Sequence, residues 1–328
     1  MPLKQYGVLK GKAVAAKRED GLDTPHYQVQ IKAGGTDYRI AINVKSQESP
    51  SDLLYLVDQN FHHPITSRLP ALKDGFAKLE KQPGGIGLDF IRANLFDRLD
   101  MKELPSSLPG PNNDLSDLLE LYVKRAISDS AATFYVFGER WGPESGQADK
   151  IFGFRPGNGI HDIHMNQGNS PNFRQDDGVW QDGGLILHYP NMDRWVGVFL
   201  AFQSQAWHTD DQTGHALDVP ERGRLVRIVG ALVNPKGADD GKETVCLLNA
   251  SPDAIDLTGW QLADRLKNKC GLSGTLAPGA TMTIKLPASV QLGNGGGTIT
   301  LLDRGGLKVD GVSYTAADAN AEGWMVVF

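Results

Sequence analysis

Apolar positions along this chain recur at two periods. Between residues 5 and 58 they alternate. Asp37 to Ser46 puts Tyr38, Ile40, Ile42 and Val44 on one face and Arg39, Ala41, Asn43 and Lys45 on the other, which is the period of a half-buried strand. His26 to Ile31 alternates as well, and Ala33-Gly34-Gly35-Thr36 between the two runs is a hairpin connection. Tyr6 to Val14 and Leu53 to Val57 are further strands. Helical period appears over Asn113 to Ile127, where Leu115, Leu118, Leu119, Tyr122, Val123 and Ala126 form one stripe behind a cap from Asn112, Asn113 or Asp114. That stripe predicts core packing. Leu88 to Phe96 reads as a short helix. Strand patterns return at Thr133 to Phe137, Gly178 to Tyr189 and Trp195 to Gln205.

Residues 216–223 read as a linker, and the pattern changes beyond it. Short β runs follow at Val226 to Val233, Glu243 to Asn249, Thr281 to Leu286, Gly297 to Leu302 and Lys308 to Tyr314, with turns rich in Gly, Pro, Asp and Asn. The expected architecture is an α+β N-terminal domain rich in antiparallel strands over residues 1–215. An all-β immunoglobulin-like sandwich is expected over residues 224–328.

Composition narrows the function. The net charge is −6, carried by the first 222 residues, and all eight histidines lie between positions 26 and 215. Such a chain is not a broad electrostatic binder of nucleic acid, although an enzyme with a local basic patch stays open. Cys246 and Cys270 have no metal-ligand spacing, and two free thiols are expected over one bridge. The N-terminus has no signal-peptide core and no run approaches 18 apolar residues, so no membrane insertion is expected. The chain is expected in the cytoplasm, or outside the cell by a non-classical route.

The chemistry concentrates in Gly153 to Asn169. Turn signals at Pro156-Gly157-Asn158-Gly159 and Gly168-Asn169 bracket Ile160 to Gln167, which holds His161, Asp162, His164, Asn166 and Gln167. Read as a strand, it places Asp162, His164 and Asn166 on one face and His161 on the other. His164 is then either a metal ligand with Asp162 and Asn166 or a metal-free general base oriented by a carboxylate. A hydrogen-bonded structural network is the bland alternative. Asp182, in an Asp-Gly turn signal, is a candidate second carboxylate. Gln203 and Gln205 share a strand face suited to holding phosphate, sugar or base edges, or merely line a polar edge. Lys45, with Arg39 and Asn43, offers charge to an anion, although a solvated strand face is the commoner outcome. His62-His63 before Pro64 reads as loop, and His188 as the exposed side of a strand.

Two resemblances accompany these patterns. Glu243 to Asn249, Ile255 to Asp264, Leu276 to Ala280, Leu292 to Leu301 and Val309 to Tyr314 follow one another as in the lamin-tail domain, which the C-terminal part resembles. That resemblance implies an immunoglobulin-like sandwich with an accessory binding or spacing role, often appended to bacterial enzymes, nucleases among them. The N-terminal part resembles the YukJ-like family of uncharacterised bacterial proteins. The matching stretches are Tyr6 to Gly11, Tyr38 to Ser46, Phe137 to Gly142, Gly157 to Gly168, Val179 to Gly184 and Phe202 to Asp210.

No phosphate-binding loop, dinucleotide fingerprint, nucleophile elbow or His-Glu-x-x-His is present. His, Asp, Asn and Gln remain, a set suited to hydrolysing a phosphodiester. The expected activity is a metal- or histidine-dependent phosphodiesterase or nuclease. His161, Asp162 and His164 are the catalytic candidates, and Asn166, Gln167, Gln203, Gln205 and Lys45 hold substrate. Asp162, His164 and Asp182 hold a divalent metal, with Mg, Mn and Zn not distinguished. Nucleic acid or another phosphodiester is the expected substrate, and a protein partner is expected on the C-terminal sandwich. The rival expectation is a non-catalytic adaptor or secreted-effector component that binds a ligand or partner.

Overall fold

The structure, a computed structural model, describes residues 5–19, 26–46, 51, 53–79, 94–97, 100–105, 114–162, 183–202, 225–237, 239, 241–306 and 308–328. The chain divides into two compact units. The first comprises Met1–Phe61, Arg68–Glu80 and Phe96–Ala206; the second comprises His62–Ser67, Lys81–Leu95 and Trp207–Phe328.

In the first unit the alternating runs become strands β1 (Tyr6–Arg18), β2 (His26–Ala33), β3 (Thr36–Asn43), β4 (Leu53–Asp58), β5 (Gly75–Lys78) and β6 (Lys102–Glu103). Helix α1 (Asp114–Ser128) follows, then β7 (Thr133–Glu144), β8 (Gly157–His161), β9 (Gly183–Tyr189) and β10 (Arg194–Phe202). These ten strands form one sheet in the order β5-β1-β2-β3-β8-β7-β9-β10-β4-β6, and a further β1–β7 ladder ties β1, β2, β3, β8 and β7 into a closed circuit of pairings. All described ladders of this sheet are antiparallel except β3–β8, which runs parallel.

The helix stripe behaves as its spacing predicts. Leu115, Leu119, Tyr122, Val123 and Ala126 are buried against Tyr27, Val29, Ile31, Ile40 and Ile42, the alternate residues of β2 and β3. Leu118 packs at the margin of that core. The unit is therefore mostly β, with one long helix among the described residues.

Two expectations fail here. Gly157-Asn158-Gly159 is part of β8 rather than a turn. A side chain at Gly159 would collide with the Arg39 carbonyl and the Trp141 ring, so glycine lets three strands close up where a turn was expected. The polar face of β3 is also not solvated: Arg39 and Asn43 are buried. Arg39 tolerates burial because its Nε donates to Asp149 Oδ2 at 2.6 Å and its Nη1 to Gln28 Oε1 at 3.0 Å, while its guanidinium lies over the Trp141 ring at 4.7 Å.

The second unit is β-rich. Strands β11 (Val226–Leu232), β12 (Thr244–Asn249), β17 (Thr281–Lys285) and β20 (Val326–Val327) form one sheet. Strands β14 (Gln261–Ala263), β15 (Lys269–Gly271), β18 (Gly296–Leu302) and β19 (Lys308–Thr315) form another, and β13 (Ile255–Asp256) pairs with β16 (Thr275–Leu276). Leu247, Leu262, Ile299, Leu301 and Tyr314 fill the core. Its buried carboxylates are occupied by backbone: Asp310 accepts from the Ile228 N–H at 2.6 Å and Glu243 from the Leu292 N–H at 2.9 Å. Cys246 and Cys270 are free thiols, and burial raises the pKa of Cys270. The expected linker, 216–223, lies outside the described residues.

Candidate functional site

The register of β2, β3, β8 and β7 builds the site. His26 pairs with Asn43 and Gln28 with Ala41 across β2–β3, Ala41 pairs with His161 across β3–β8, and His161 pairs with Glu139 across β8–β7. Directly paired residues share a face, so these polar side chains all stand opposite the helix-facing core. Ala41 is the small member of the row. Over it, His26 and His161 meet.

Their Nε2 atoms are 3.0 Å apart, with ring centroids 4.9 Å apart and ring planes at 84°. Behind each ring sits a carboxylate. His26 Nδ1 is 3.4 Å from Glu19 Oε2, and His161 Nδ1 is 3.7 Å from Asp162 Oδ1. The side chains of His26 and His161 keep 15% and 23% of their surface, so this pair remains reachable among the described residues, whereas Asp162 keeps only 3%.

Each carboxylate is itself fixed. Glu19 Oε2 accepts from the His26 backbone N–H at 3.2 Å and from Gln28 Nε2 at 2.6 Å. The hydrogen bond from the His26 side chain is the largest cause holding the Glu19 carboxyl down at about 2, below its usual 4.5, with the Gln28 bond adding to it and burial opposing. Both oxygens of Asp162 accept from the Asn43 backbone N–H at 3.2 Å, and the Asp162 N–H donates to the Ala41 carbonyl at 3.1 Å. Gln28, fully buried, passes the line on to Arg39 and Asp149. The result is one polar row from Asp149 through Arg39, Gln28, Glu19, His26 and His161 to Asp162.

Backbone contact locks the His161 end. A side chain on Gly138 would strike the His161 carbonyl, and one on Gly183 would strike the Asp162 carbonyl. Neighbouring β7 and β9 can approach this closely only because glycine stands there.

Of the expected site residues, His161 and Asp162 come together, joined through a ring and its neighbouring carboxylate. Lys45 lies two residues beyond the end of β3 and is half-buried. His164, Asn166, Gln167, Asp182, Gln203 and Gln205 fall outside the described residues. Among the described residues no group of three His, Cys, Asp or Glu converges as a metal-binding set. His188 is half-buried and stacks on Trp195 at 3.9 Å between centroids, and burial lowers its pKa. His63 is buried, and its Nδ1 accepts the Ile65 N–H at 3.1 Å at the start of a short 3-10 turn, Pro64–Ser67.

Sequence reasoning missed His26, Glu19 and Gln28. One signal was there: His26, Gln28 and Gln30 are the alternate positions of β2, a polar file beside the polar file of β3.

A closed, strand-rich domain with a buried polar row ending in a reachable histidine pair is the class that fold and site define. Comparison of the chain with known families places it. Residues 1–214 match the family described as "Uncharacterized conserved protein (DUF2278)", and the chain belongs to that family. Residues 222–316 match the Lamin Tail Domain. The "Uncharacterized protein YukJ" of Bacillus subtilis (strain 168) is 46% identical over 214 residues, which make up 64% of this chain and 93% of that protein. No helix among the described residues is long and apolar enough to cross a membrane.

Proposed function

We propose that this chain is a hydrolase acting on phosphodiesters, with the His26–His161 pair as its chemical centre and the lamin-tail part as an immunoglobulin-like accessory module that binds a partner. The observation that carries it is the 3.0 Å approach of two imidazole Nε2 atoms, each ring backed by a carboxylate. Hydrolysis needs a water made nucleophilic at neutral pH. An imidazole lone pair oriented by a carboxylate on its other nitrogen is suited to taking that water's proton. Glu19 and Asp162 supply the orientation and stabilise positive charge on the rings as the proton arrives.

The test is cleavage of a chromogenic phosphodiester and of single- and double-stranded nucleic acid by the full chain. His26→Ala and His161→Ala are each expected to lose activity by about 10²-fold or more, the usual worth of general-base catalysis. His188→Ala, which alters a ring stacked on Trp195 and paired with Thr133, six residues along β7 from the Glu139 that pairs with His161, should retain it. Folded protein that cleaves none of these substrates would end the hydrolase proposal in favour of a binding module.

A further inference from the structure

In a neutral imidazole one nitrogen carries hydrogen and the other a lone pair. Glu19 faces Nδ1 of His26 and Asp162 faces Nδ1 of His161. At 3.4 and 3.7 Å the negative charge of each carboxylate biases its ring toward hydrogen on Nδ1 and a lone pair on Nε2. The two Nε2 atoms lie 3.0 Å apart, with the ring planes at 84°. Two such atoms repel unless a cation joins them, either a proton shared on the line between them or a metal ion beside that line.

A separation of 3.0 Å suits a hydrogen bond between the two rings, and it equally suits two nitrogens on one metal ion. Nitrogens bound at about 2.0–2.1 Å lie roughly 2.9 Å apart at a right angle and roughly 3.4 Å apart at the tetrahedral angle. The observed 3.0 Å falls within that span. The surroundings agree as well, since metal-bound histidine almost always presents its second nitrogen to a carboxylate, carbonyl or water, which fixes the tautomer and aims the ring. Here the arrangement occurs twice, with Glu19 held by Gln28 and Asp162 held by the Asn43 backbone.

We infer that His26 and His161 are ligands of one divalent transition-metal ion, bound through both Nε2 atoms and oriented by Glu19 and Asp162. This rests on the hydrolase proposed for the same centre and names its cofactor class, with the two imidazoles as ligands and a metal-bound water, rather than water activated by a free imidazole, as the nucleophile. Imidazole nitrogen selects zinc, cobalt, nickel or copper over magnesium, whose preference is oxygen. A four-coordinate ion held by two imidazoles has two further positions, which water and a substrate oxygen can take. A water held there becomes acidic enough to supply hydroxide near neutral pH. The carboxylates of Glu19 and Asp162 are positioning groups for the rings.

The experiment uses the full chain, freed of metal by dialysis against EDTA. Zn²⁺ binding is followed by calorimetry and Co²⁺ binding by visible absorption. The wild type is expected to bind one equivalent that excess Mg²⁺ does not displace. His26→Ala and His161→Ala should each weaken Zn²⁺ binding by at least about tenfold, and Glu19→Gln by about 10–100-fold, as for other partners that orient metal-bound histidines. His62→Ala and His188→Ala should bind as wild type. Where an alanine variant does not fold, His26→Gln and His161→Gln keep a neutral polar side chain in the slot and give the same readout. Folded wild type that takes up neither ion overturns the inference, and so does binding unchanged in the His26 and His161 variants. Cleavage after EDTA treatment without metal uptake would leave the hydrolase standing and remove the ion. Metal uptake without cleavage would do the reverse.

Discussion

His63 shows what a single buried imidazole costs. It is 1% exposed, and burial is the main reason its pKa falls to about 3 from 6.5, with His62 and Lys308 contributing. The folded chain thus holds it neutral where the unfolded chain protonates it. The unfolded state binds the extra proton between pH 6.5 and 3, so stability is complete above 6.5 and is lost progressively on acidification through that window. At pH 4.5, two units below 6.5, the loss from this residue is about 3 kcal/mol, on the scale of 1.4 kcal/mol per pH unit. His63→Asn keeps an acceptor for the Ile65 N–H and does not titrate. Urea unfolding at pH 7.5 and pH 4.5 should show the acid-induced drop reduced in that variant. By contrast His26 and His161 face carboxylates and each other. The difference was hidden in the sequence, where all three histidines lie in turn- or strand-like contexts. His161 was legible as a candidate because polar residues crowd around it in the sequence. Its partner was not, because 135 residues separate them and only the β2–β3–β8 register makes them neighbours.

Secondary-structure elements were more legible than contacts. Alternation found β2, β3 and β4 to within three residues, and the apolar stripe found α1 to within one. Phase can be tested on that helix. Leu119→Ala removes a buried side chain from the core and should cost about 2–5 kcal/mol, whereas Leu121→Ala, 52% exposed, should change stability by less than about 0.5 kcal/mol in denaturant unfolding. Alternation says nothing of how close strands come, which is why the first three residues of β8, Gly157 to Gly159, escaped while Ile160 and His161 were read as strand. Its glycines read as turn residues, yet they serve close approach. Gly138→Ala places a methyl against the His161 carbonyl, and the strands must part to admit it. Overpacking of this kind should lower stability by about 1–3 kcal/mol. Because the displaced backbone carries His161, Zn²⁺ affinity should fall as well, even though no ligand is changed. Equal affinity in a folded Gly138→Ala protein would show that the histidine pair tolerates movement of β7.

At the scale of the whole molecule, the second compact unit is discontinuous in sequence. Short pieces from residues 62–67 and 81–95 belong with the C-terminal strands. Asn94 shows why. It is buried, with a backbone φ of 70°, and its Nδ2 lies 3.1 Å from the Ile299 carbonyl, 3.0 Å from the Val312 carbonyl and 3.3 Å from Thr300 Oγ1. Ile299 and Val312 are direct partners in the β18–β19 ladder, so one amide bridges two strands. His62 also touches this unit: its Nε2 is 3.1 Å from Asp318 Oδ2, with a side chain 64% exposed. Burial makes the two contacts unequal. Asn94→Asp replaces a donor with an acceptor facing two carbonyls and should destabilise the second unit by about 1–3 kcal/mol, the cost of buried polar groups left unsatisfied. His62→Ala breaks an exposed pair and should cost about 1 kcal/mol or less. A chain with two units is expected to unfold in more than one step, so the readout is the transition assigned to residues 222–328 by hydrogen exchange. That transition should move in Asn94→Asp and hardly at all in His62→Ala. If neither variant moves it, residues 94–95 contribute nothing to the unit's stability, and the unit is continuous from the C-terminal strands alone.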